Sequence, residues 1–163
     1  MLGFSLGVYH TIKFLHILAA VVWVGGGIFV QIYATKLRHD EDQTKLADFA
    51  RNVEFFGTRV FAPASGLVLL MGITMVIYSP FISFSETWIL IGLGGFVITF
   101  ITGTFFLGPA AGRLSKLFET EGPSSPAVQA GMKRIFAISR IDQVVLVLVI
   151  LDMVFKPGSK GVV

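Results

Sequence analysis

Cysteine is absent from the chain, and with it go disulfides, iron–sulfur clusters and thiolate metal sites. Charge is scarce as well. Asp, Glu, Lys and Arg make up 14% of 163 residues, where a soluble domain carries about 25%. Long apolar runs take their place, giving 54% hydrophobic residues and a mean hydropathy of +0.80. This is the composition of one integral membrane domain covering residues 1–163. No phosphate-binding loop is present, because Gly25-Gly26-Gly27 lies inside an apolar run with no strand before it. No serine has an evident base and orienter, which removes the usual covalent hydrolases. Residues 1–8 lack a basic segment and no small-residue cleavage signal follows them, so a removable signal peptide is not expected.

What is there predicts an all-α fold: a four-helix transmembrane bundle with amphipathic helices in its cytoplasmic connections. The spans are placed at about 9–34, 59–78, 87–107 and 136–156. Leu46, Phe49, Ala50, Val53 and Phe56 follow helical spacing, which predicts a surface helix leading into the second span, with Asp42 or Thr44 as N-cap. Ser79-Pro80 ends that span and Gly108-Pro109 ends the third. Residues 110–125 read as a basic loop with a Gly122-Pro123 break. Ser125-Pro126 then starts a helix that runs unbroken to Phe155.

The net charge of +3 comes from Lys and Arg that flank the spans, which serves membrane topology and gives nucleic acid no binding surface. Residues 35–59 hold Lys36, Arg38, Lys45, Arg51 and Arg59; residues 109–140 hold Arg113, Lys116, Lys133, Arg134 and Arg140. The other side keeps Lys13, Lys156 and Lys160, ten against three in all. Both long connections are therefore expected in the cytoplasm and both termini outside, across the plasma (inner) membrane. The partners expected are the lipid bilayer and a second membrane protein or second copy.

Orientation sorts the polar residues by depth. His16 falls about 9 Å from the midpoint of its span toward the outside, at 1.5 Å per residue. Met75, Asp152 and Met153 fall at nearly the same level, with His10, Glu86 and Lys156 further out. Helical spacing puts His16, Ala20, Trp23 and Gly27 on one stripe, and Trp88, Gly95, Thr99, Thr102 and Phe106 on another. The two stripes either pack together or line a flat cavity.

An ionisable residue within a span marks a functional site by default. His16 has the chemistry of a metal ligand or proton relay; the plainer reading is a hydrogen bond that fixes helix packing. His10, near the interface, is a second candidate metal donor, although six residues set it about 120° around the helix from His16. Asp152 and Lys156 have i,i+4 spacing for an ion pair, with proton acceptor for His16 as the alternative role of Asp152. Met71, Met75 and Met153 are thioethers suited to Cu(I) or an axial haem position, or simply core filler. Asp142 is expected to anchor a helix end beside Arg140.

The segment IKFLHILAAVVWVGGGIF at 12–29, with KPG at 156–158, resembles small bacterial four-helix membrane proteins of a family of unknown function. That family is similar to the membrane domain of CopD-type copper-resistance proteins and to HemJ-type protoporphyrinogen oxidases. The resemblance rests on Lys13, His16, Trp23, Gly25 and Lys156-Pro157, and implies haem b ligation by His16. The HemJ pattern has a second histidine in the third span, and this third span contains none. The activity is therefore not carried over. Three functions follow as expectations: a haem-associated or redox-linked protein with His16 as axial ligand and Met75 or Met153 opposite; copper handling at the outer face through His16, His10 and the methionines; or a non-catalytic subunit or scaffold of a membrane complex.

Overall fold

The computed structural model describes residues 6–39, 43–122 and 124–159, and all regular structure among them is helical. Three long rods each contain one wide π segment. The first is α1 (Leu6–Ala20), the π segment Val21–Gly25 and α2 (Gly26–His39). The second is α3 (Gln43–Phe56), Gly57–Phe61 and α4 (Ala62–Tyr78); the third is α5 (Thr87–Ile101), Thr102–Leu107 and α6 (Gly108–Glu121). A fourth rod, α7 (Pro126–Phe155), runs for 30 residues without interruption. Its start is as expected, with the Ser125 side chain accepting from the Ala127 N–H at 3.2 Å and Pro126 in the first turn.

Three stretches are long and apolar enough to cross a membrane: Leu6–Leu37, Asn52–Tyr78 and Thr87–Glu121. α7 has the length, but Arg140, Asp142 and Asp152 interrupt its apolar run. A bundle of spans is thus plain for three helices, and charge sets the fourth apart.

One expectation about the connections is corrected. The amphipathic helix before the second span leads into it, continuing through Gly57–Phe61 into α4. Of its expected caps, Asp42 lies outside the described residues, and Thr44 is inside the helix. Residues 110–121 are helix rather than loop, since Pro109 does not end the third rod. A proline costs most where a regular i−4 carbonyl faces its ring. Here it follows directly on a π segment, whose wider turn shifts that carbonyl. The reward for continuing is burial: Leu114 and Phe118 of α6 form a cluster with Leu37, Val128 and Met132.

α1 lies along α4, and α5 lies along α7. The two stripes of the first and third spans therefore do not pack on one another, as one of the two expected arrangements required. The third-span stripe faces α7 instead: a Cβ on Gly95 would run into Val149, and one on Gly92 into Met153. A second cluster, Val76, Trp88 and Ile89, ties α4 to α5 at the other end. Large apolar side chains such as Phe14, Leu70, Leu90 and Val144 face outward. That is the distribution expected when lipid replaces a core.

The close approach at Gly95 can be tested against a neighbour. Gly94 has nothing within 4 Å of an added Cβ. Gly95→Ala is expected to destabilise the protein in thermal melts by about 1–3 kcal/mol, while Gly94→Ala leaves it unchanged or slightly more stable. Equal effects at the two positions would contradict the packing of α5 on α7.

Candidate functional site around His16

His16 is half-buried on α1, and its Nδ1 stands 2.8 Å from the backbone carbonyl of Val68 on α4. A carbonyl only accepts, so Nδ1 carries the hydrogen and donates it. In the neutral ring Nε2 is then a bare lone pair, and it makes no hydrogen bond among the described residues. Gly72 makes the approach possible: a Cβ there would sit 3.2 Å from His16 Cε1 and 3.4 Å from Nδ1. Val68 and Gly72 are four apart, so one face of α4 both binds the ring and leaves room for it.

Met75 lies on that same face, about one turn further along α4 from Gly72, and is half-buried. Met153 is placed elsewhere. Its thioether packs at Gly92 of α5 and against the cluster of Val76, Trp88 and Ile89. Asp152 is buried beside it, 8% exposed, with Oδ2 3.7 Å from a Cβ on Gly92. Since Gly72 is one turn below Val76 and Gly92 one turn below Trp88, His16 and Asp152 occupy about the same level. The expected layer is there, divided between two helix pairs.

Two expected pairings are not made. Neither oxygen of Asp152 has a hydrogen-bond partner, and Lys156 does not pair with it. The i,i+4 rule needs both residues in the helix. Lys156 is beyond its end, in the left-handed conformation at φ 46°, and its Nζ lies over the Trp88 ring at 5.3 Å. Asp142 likewise does not pair with Arg140, since two residues on a helix point to different faces. His10 is exposed and meets only the edge of Tyr9, with ring centroids 6.2 Å apart. α1 is regular from His10 to His16, so the two imidazoles keep to different faces.

Glu86 is half-buried at the start of α5 without a side-chain capping bond; only its carbonyl accepts, from Ile89 N–H at 3.0 Å and Leu90 N–H at 3.1 Å. Trp23 is in the first π segment and stands edge-on to Phe96 of α5, 5.7 Å between centroids. Gly27 faces Gln143 of α7 instead. The stripe of His16, Trp23 and Gly27 thus fans out over three helices. A π turn holds about one extra residue, which displaces whatever follows it by roughly 100°.

The sequence reading missed a polar seam along this interface. The Gln143 side-chain amide donates to the Val24 carbonyl at 3.3 Å, inside the π segment, and Gln31 donates to Ser139 one step further along. It also missed a crevice of about 500 Å³ between the first two rods, walled by Gly26, Phe29, Tyr33, Phe49 and Phe61, with Asn52 on its polar side. Ser139 and Gln143, four apart in the last helix, with Gln31 in the first rod, were the available signal for the seam. His16 does not line the crevice.

Among the described residues no three of His, Asp and Glu converge as a metal site. The donor set at His16 is one nitrogen. It does not fit haem b held by two histidines or a copper ion held by imidazoles and thioethers together.

A family of predicted integral membrane proteins matches residues 10–157, nearly the whole chain. The chain belongs to that family, DUF2269. The resemblance to a membrane family of unknown function is thereby shown, and a similarity to CopD-type or HemJ-type proteins is not. No curated protein and no solved structure matches the chain. For this DUF2269 protein the geometry around His16 has to carry the argument alone.

The seat of the ring is testable. Gly72→Leu is expected to expel the imidazole from Val68, so that the ¹⁵N-labelled Nδ1–H, slow to exchange in the wild type, exchanges freely. Continued protection in Gly72→Leu would refute the Val68 hydrogen bond as the ring's anchor.

Proposed function

We propose that the chain is a four-span protein of the plasma membrane, with both termini outside, that binds and releases protons at its outer level through His16. One observation carries the reading: the hydrogen bond to the Val68 carbonyl fixes the tautomer and leaves Nε2 as an unpartnered base inside a bundle. An imidazole is the side chain whose charge changes near physiological pH. Ionisable residues turned toward the interior of membrane bundles mark proton and ion paths. For α7 as the fourth span, support comes from its 30-residue length and its packing along α5. The ten-to-three distribution of Lys and Arg supports the orientation.

The same observation favours a second reading. An imidazole that ligates a metal is usually oriented through its other nitrogen by a carbonyl or carboxylate. A haem-associated, redox-linked role would use His16 as axial ligand, with Met75 on the facing stripe of α4 or a partner chain completing the site. Copper handling has the weakest support, because His10, His16 and Met153 stand on separate faces. A purely structural subunit would use His16 only as the clasp between α1 and α4.

Spectra separate these readings. If His16 handles protons, its ¹⁵N signals titrate with pH, and His16→Gln slows the decay of an imposed pH gradient in proteoliposomes. A flat titration with unchanged gradient decay leaves only the structural clasp. A Soret band lost in His16→Ala would establish the haem reading instead.

The topology has its own test, made simple by the absence of cysteine. In intact cells an impermeant maleimide is expected to label Ser85→Cys, while Lys116→Cys reacts only after permeabilisation. The reverse pattern would invert the orientation.

A further inference from the structure

We propose that Asp152 is a proton-binding site inside the bundle, its carboxyl carrying a proton at neutral pH, with Lys156 poised to replace that proton. Asp152 is 8% exposed, both carboxyl oxygens are buried, and neither has a hydrogen-bond partner among the described residues. An ionised carboxylate there would have no donor and no counter-ion among the described residues, and a group so placed takes up a proton instead.

The surroundings leave few competitors. α5 contributes Trp88 and Gly92, with Glu86 at its start. α4 brings Val76 with Met75 beside it, and no ionisable group before Tyr78 at its end. On α1, His16 stands at the same level but is bonded to α4. Lys156 is the nearby cation, and it rests on the Trp88 face rather than on the carboxyl. Loss of the proton leaves a buried carboxylate four residues from an ammonium. The attraction grows as the local dielectric falls, and it draws Lys156 off the indole. Trp88, buried against the same cluster, senses the exchange.

This proposal extends the proton-handling reading of His16 but stands on a separate observation. Asp152→Asn leaves the His16 titration in place, so either can fail alone.

Infrared difference spectra of the protein in bilayers at neutral pH test the resting state, with Asp152→Asn as reference. The expected result is loss of an un-ionised carboxylic acid C=O band; loss of carboxylate bands alone overturns the proposal. Should Asp152→Asn fail to insert, ¹³C-aspartate labelling in an Asp142→Asn background reads the same band, and its absence is equally decisive. The role of Lys156 is read by Trp88 fluorescence in a Trp23→Phe background as the pH is raised. The transition is expected to vanish in both Asp152→Asn and Lys156→Met. A transition that survives in either variant removes Lys156 from the scheme.

Discussion

Hydrocarbon offers no hydrogen bonds, so every polar group inside the bundle must find its partner in the protein or go without. Most of the interior follows from this. Long helices satisfy their own backbone, and the few side chains that remain polar are spent on carbonyls. His16 takes the Val68 carbonyl of α4, and Gln143 takes the Val24 carbonyl of the first π segment. Gln31 and Ser139 satisfy each other. Each of these bonds joins residues distant in sequence, so together they fix which helices are neighbours and at what register. Among the described residues Asp142 goes without on one buried carboxyl oxygen and Asp152 on both, and the isolation of Asp152 is the reason to assign it a proton.

The fold was legible where composition and periodicity carry strong signals. Apolar runs located the three plain spans, and Ser125-Pro126 announced the start of the long last helix. The rods were harder. Pro109 reads as a stop in any local rule, and the π segment that absorbs it has no residue signature beyond a glycine. The same segments explain why stripes drawn at 100° per residue lose their faces after one unexpected turn: Trp23 and Gly27 meet different helices for that reason.

The candidate site was half legible. The depth of His16 could be counted from span boundaries, and its layer with Met75, Asp152 and Met153 survives at the level of helical turns. What could not be counted was direction. Gly72 and Gly92 look alike in sequence, yet one seats an imidazole and the other a thioether beside a carboxyl. Lys156 escaped prediction because the helix ends one residue before it, and one left-handed residue is enough to exchange a carboxylate neighbour for an indole.

The continuity of the second rod has a mechanical consequence. α3 and α4 form one helix with a single wide turn between them, and α4 presents the carbonyl that holds His16. A push on α3, at the polar end of that rod, is therefore not absorbed by a loop. The helix carries on through Gly57–Phe61 to Val68, so the polar end of the rod and the carbonyl that holds the imidazole belong to one continuous element.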